Sequence, residues 1–178
     1  MIAKCVIKIY NDIKEWVFLG EHLFERRESM PYQAKEVARY IVDYCDEVLQ
    51  KPISNLQLQK ILYFVWIDYY REKGKELFTD NIYAWQLGPV VADVYFEYCS
   101  YGGVPIHTLQ KKDSHISEPD KTTINELVKK YINDSVYKLV QKTHAPGKPW
   151  HIIYDNGAGN KKKIPLELIK RLECKDQG

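Results

Sequence analysis

Proton transfer near neutral pH is histidine chemistry, and His144 is the histidine set where such chemistry would be built, in the run Thr143-His144-Ala145-Pro146-Gly147-Lys148-Pro149-Trp150. A catalytic His144 would need an orienting carboxylate, for which Asp155 and Asp93 are the candidates, and a nucleophile. No nucleophile is marked by a local motif: the chain has no G-x-S-x-G, no phosphate-binding P-loop and no H-E-x-x-H. No catalytic residue is assigned, and the chain is read as a non-enzyme. His144 and His151 approach metal-ligand spacing, but a proline-glycine turn separates the Thr-His pair from Pro149 and no cysteine lies nearby, so no metal and no cofactor is expected. The favoured reading of His144 is structural, with its ring on Trp150 and its nitrogens bonded to carbonyls of the turn.

A second group is Trp85, Gly88, Pro89 and Val90, with Tyr95 downstream. Gly-Pro suits a strand-to-helix turn with proline at the first helical position, and the tryptophan would fill the core behind it. The alternative is a binding role, because a helix start at the surface offers free N–H groups to a partner. Both readings stay open. With 14 tyrosines, 4 tryptophans and 5 phenylalanines the chain carries more aromatics than its core needs, which suggests an interface. Tyr69, Tyr70, Tyr83, Tyr95 and Tyr101 are the tyrosines near helix ends or turns.

Behind these residues stand the elements that must position them. Ala34, Val37, Ala38, Ile41, Val42, Cys45 and Val48 repeat at three and four, predicting a helix from Gln33 to Leu49. Ser54 and Gln57 have capping-box spacing and open a second helix through Leu58, Ile61, Leu62, Val65 and Trp66 to a stop at Gly74. Residues 81–87 favour a strand; after Gly88-Pro89 a third helix is expected to about Ser100. A polar loop over 108–121, a helix from Thr122 to Ile132, a new cap at Asn133-Asp134-Ser135, a short helix from Pro149 and a last one from Pro165 to Leu172 complete the reading. Residues 4–10 alternate as a strand would, and 1–30 are read as an extension preceding a domain over 31–178. The fold class is therefore mainly α, one compact domain of about six helices with a minor β element.

Three blocks in fixed order then resemble the SocA-like Panacea antitoxin domain, a family that also includes GepA-like, phage-associated proteins. They are ISNLQLQKILYF (Ile53 to Phe64), IYAWQLGPVVADVY (Ile82 to Tyr95) and Thr143-His144 with Pro149-Trp150. The resemblance spans Tyr32 to Leu172. It implies a protein that binds and neutralises a cognate toxin or delivers it to a protease, with Trp85, Gly88, Pro89, Val90, Tyr95, His144 and Trp150 as signature or partner-contact residues. An inhibitor of a host defence protein carried by a phage or mobile element would use the same binding physics.

Charge and composition agree with a protein partner. With 26 basic and 24 acidic residues the formal charge is +2, in mixed sign along the chain, so bulk charge does not predict nucleic-acid binding. A repressor of its own operon would need an exposed recognition helix, and the Ser54 to Tyr70 helix offers only Gln57, Gln59 and Lys60. The triplet Lys161-Lys162-Lys163 reads as a solvated turn. Cysteines at 5, 45, 99 and 174 have no paired spacing, and Cys45 and Cys99 are expected as core thiols in a reducing cytoplasm. Charges through the first thirty residues interrupt any run long enough for a signal peptide or membrane span.

Overall fold

A computed structural model describes residues 30–108 and 113–174; the strand expected at 4–10 and the rest of the extension lie outside them. The described chain forms seven α-helices and one three-stranded antiparallel sheet, a mainly α fold with minor β as its patterning predicts. Helix α1 (Ala34–Asp43) buries Ala34, Val37, Ala38, Ile41 and Val42 of the predicted face and loosens into a π-helical turn over Tyr44–Val48, which buries Cys45 but turns Val48, expected on the same face, out to 64% exposure. Helix α2 (Asn55–Lys73) starts where Ser54 Oγ accepts the Gln57 N–H at 3.4 Å and stops at Gly74, whose φ of 67° is left-handed. Only half of the capping box forms, because the Gln57 side-chain amide donates to the Ile132 carbonyl instead. α2 is buried almost all round: α1, the sheet, and the helices that follow pack about it, and Trp66 and Tyr69 are fully enclosed.

Strand β1 (Ile82–Trp85) turns through Gln86-Leu87 into β2 (Gly88–Val91), pairing Trp85 with Gly88 and Ile82 with Val91. This corrects the expectation for Gly88-Pro89, which lie inside a strand, and α3 (Ala92–Glu97) begins only after Val91. Proline is tolerated there because β2 is a sheet edge, where a missing N–H breaks no ladder bond. A 3₁₀ turn over Cys99–Tyr101 follows, and Cys99 is exposed rather than a core thiol; Cys45 is buried as expected. Helix α4 (Glu118–Tyr131) starts four residues before its predicted Thr122, since Pro119 occupies the first helical turn behind a Ser117 cap and does not mark a loop. α5 (Val136–His144) is capped by Ser135, and α6 (Pro149–Tyr154) starts at its proline. The lysine triplet is also corrected: Lys161 makes the turn, and Lys162 opens β3 (Lys162–Ile164) on the other side of β1. α7 (Leu166–Ile169) and a π-helical turn (Lys170–Cys174) close the described chain.

One buried carboxylate joins three of these pieces. Asp120, in the first turn of α4, accepts the hydroxyls of Tyr32 at 2.6 Å and Tyr69 at 2.7 Å and that of Ser117 at 2.9 Å, with Lys75 3.6 Å away. Burial opposes its ionisation, yet these hydroxyls and the lysine together hold its pKa below the usual aspartate value. Tyr69, one of the five interface candidates of which some are expected to be core residues, is therefore in the core, and Tyr70 lies flat on Trp66.

Candidate functional site

The second and third sequence blocks meet on one side of α2. Three polar residues interrupt that helix's apolar pattern at Asn55, Gln59 and Lys60, and all three are buried. Gln59 Oε1 accepts the Val91 N–H at 3.0 Å, and Lys60 Nζ donates to the Pro89 carbonyl at 2.8 Å. Asn55 Nδ2 donates to the Tyr95 carbonyl at 3.0 Å, and its Oδ1 accepts from Gln59 at 3.3 Å. The open edge of β2 thus finds side chains of α2 where a fourth strand would otherwise be needed. These residues would have to be exposed to read DNA; Gln59 and Lys60 are enclosed.

Gly88 is the point of closest approach. Its φ is 108°, and a Cβ there would sit 2.7 Å from Thr143 Oγ1 and 2.8 Å from Lys60 Nζ. Both the backbone and the space therefore require glycine. Beyond Thr143, the His144 ring lies on Trp150 at 3.5 Å between centroids and 5° between planes, and Trp150 lies on Tyr154 at 4.5 Å. Trp150 Nε1 donates to the Trp85 carbonyl at 2.8 Å, fastening α6 to the hairpin. His144 packs on Trp150 as expected, but its Nε2 is buried without a hydrogen-bond partner, so the expected bonds from its nitrogens to the turn do not account for that atom. No hydrogen bond joins His144 to Asp93 or Asp155 among the described residues.

Trp85 does not fill the core. It is half-buried at the surface, edge-on to Tyr95 at 4.8 Å and to Phe96 at 6.2 Å, while Lys161 Nζ lies 5.7 Å over its ring. Phe96 is 61% exposed, and Leu87 at the tip of the hairpin is 52% exposed. Phe96 and Lys161 were outside the sequence-derived set; Phe96 follows the signature tyrosine directly, and only its place on the outer face of α3 distinguishes it from a core phenylalanine. Val90 and Pro89 are buried, and Pro89 acts through its carbonyl.

The electrostatics of the buried side are set by Lys60, for which no carboxylate partner is present among the described residues. Desolvation pulls its pKa down to about 7. Desolvation also lowers His144, with the charges of Lys60 and His151 adding to it, so burial favours the neutral imidazole. For Lys60 the unfolded chain binds the proton more tightly than the folded one, so folded stability rises as pH climbs from about 7 toward the free-lysine value. Lys60→Met is expected to remove that contribution: denaturant melts between about pH 7 and pH 9.5 should show wild type gaining stability relative to the variant. Equal slopes in the two proteins would contradict a neutral buried lysine.

The arrangement places rings and a cation around a hairpin that is fastened from below to α2 and α6, within a mainly helical domain. The sequence profile described as "Antitoxin SocA-like, Panacea domain" matches residues 58–151. The chain is also 33% identical over 157 residues, 82% of each chain, to the protein named Antitoxin SocA from Caulobacter vibrioides (strain NA1000 / CB15N). The chain belongs to the SocA-like Panacea-domain antitoxin family. No solved structure matches it. Among the described residues, no helix is long and apolar enough to cross a membrane.

Proposed function

We propose that this chain is an antitoxin that binds a cognate protein toxin directly, in the cytoplasm, through the surface formed by Trp85, Leu87, Tyr95 and Phe96. The domain over 31–178 supplies the surface, and residues 1–30 are a separate extension. The observation that carries this reading is a large exposed ring, Phe96 on α3, set against two half-buried aromatics, Tyr95 on the same helix and Trp85 on the hairpin. Amphipathic aromatics in such clusters are where protein interfaces concentrate their binding energy.

The test is co-expression with the product of the adjacent gene. Wild type is expected to rescue growth and to co-purify with that product. Phe96→Asp with Leu87→Asp should lose both while melting as wild type does, since neither side chain is buried; a central aromatic contact is worth about 2 kcal/mol or more, roughly thirtyfold in Kd. No rescue and no complex with wild type overturns the proposal. Rescue that disappears in a host lacking its ATP-dependent proteases, with toxin levels unchanged there, replaces neutralisation by delivery to a protease.

A further inference from the structure

The surface around Trp85 has a cationic side. Tyr83 and Trp85 project from the same face of β1, since alternate residues of a strand share a face. Lys163 is the direct partner of Tyr83 across the β1–β3 pair, and Lys161, two residues before it, lies over the Trp85 ring. Nine other lysines, including Lys35, Lys75, Lys121, Lys129 and Lys170, each have a carboxylate within 4.0 Å. Lys161, Lys162 and Lys163 are exposed, and none of them has such a partner among the described residues. Lys161 and Lys163, without counter-charge, therefore flank the rings on this face, while Lys162, paired with Ala84, faces the other side of the sheet.

Resting on the antitoxin reading, we infer that this aromatic and lysine surface receives an acidic segment of the protein partner, with an apolar side chain seated on Trp85, Tyr95 and Phe96 and carboxylates opposite Lys161 and Lys163. A carboxylate that meets Lys161 completes a pair whose cation is already positioned by the Trp85 ring, so little side-chain entropy remains to be lost. The arrangement favours a protein over a nucleic acid. A phosphate backbone is tracked by cations distributed along a groove, whereas the cations here are confined to one short turn and strand beside the rings, and the chain's net charge is only +2.

The test titrates the full chain with the purified product of the adjacent gene at about 50 mM and about 300 mM salt, where screening of exposed charges differs strongly. The expected results are a weakening of tenfold or more at the higher salt, and a similar weakening at low salt in Lys161→Glu/Lys163→Glu. Lys73→Glu, which reverses one charge at the exposed end of α2 as each of those two substitutions does, should leave affinity unchanged. Thermal melts of each variant confirm that the fold is kept, and Lys161→Gln/Lys163→Gln gives an intermediate loss if charge is the cause. Partner binding that ignores both salt and the double variant overturns the acidic-segment inference and leaves the antitoxin reading standing. Absence of any complex with wild type overturns the antitoxin reading itself. Binding of a single-stranded oligo(dT) probe that the double variant loses, with partner affinity unchanged, assigns the lysines to nucleic acid and overturns the inference.

Discussion

Gly88→Ala is expected to destabilise the protein by about 3 kcal/mol, the sum of backbone strain at a residue with φ of 108° and overpacking against Lys60 and Thr143. For a chain of this size that lowers Tm by roughly 6–12 °C. Two controls separate the contributions. Gly74→Ala also places a side chain at positive φ, at 67°, but nothing lies within 4 Å of its Cβ, so it should lose only about 1 kcal/mol. Thr143→Ala removes the atom nearest to the new methyl group, so the double variant Gly88→Ala/Thr143→Ala should be more stable than the two single losses added together. If Gly88→Ala and Gly74→Ala melt alike, the close approach of β2 to α2 and α5 is not tight, and the description of the site floor fails. Partner binding should fall with Gly88→Ala, because the hairpin that carries Trp85 can relieve the clash only by lifting from α2.

Asp120→Asn is expected to be as damaging, at about 3 kcal/mol near neutral pH, because it removes a charge that three hydroxyls and Lys75 converge on and leaves one tyrosine hydroxyl facing an amide N–H₂. The pH dependence provides the check. The folded-state pKa of Asp120 lies below its ordinary value, so the stability it contributes is present above about pH 4, the unfolded value, and is lost as pH falls through the folded one. Urea melts from pH 7 down to about pH 3 should therefore show the gap between wild type and Asp120→Asn narrowing toward acid. A constant gap would place the effect of the substitution in packing, with no part for the charge. Tyr69→Phe leaves the carboxylate and removes one donor, and should lose about 1 kcal/mol.

These two sites also show what is legible in a single sequence. The faces of α1 and α2, the Ser54 and Ser135 caps, the Gly74 stop and the proline start of α6 follow from local rules and stand where those rules put them. Gly88-Pro89 misleads because the same dipeptide serves a helix start and a sheet edge. The choice between them is made by Gln59 and Lys60, 32 and 29 residues away in sequence from the groups they bond. Pro119 misleads in the opposite sense: a breaker within a polar stretch, it is the first turn of α4. Asp120 is locally legible only as the fourth residue of a Ser117 cap, since its partners Tyr32 and Tyr69 come from distant parts of the chain. For the candidate site, the signature residues are visible as types, and the structure brings Trp85, Gly88, Tyr95, His144 and Trp150 into one neighbourhood. Which of them point outward depends on strand register, and register made Trp85 a surface residue and brought Lys161 to it.

The bonds from Asn55, Gln59 and Lys60 to the backbone of Tyr95, Val91 and Pro89 have a further consequence. They grip main-chain atoms, two carbonyls and one N–H that every residue type but proline possesses, so the hairpin and α3 keep their position whatever side chains they display outward. Evolution can therefore rewrite Gln86, Leu87, Phe96 and the lysines singly, without passing through misfolded intermediates. The same property makes this face a mount for laboratory diversification: a library confined to those positions should yield folded proteins in most clones, with specificity as the only trait under selection.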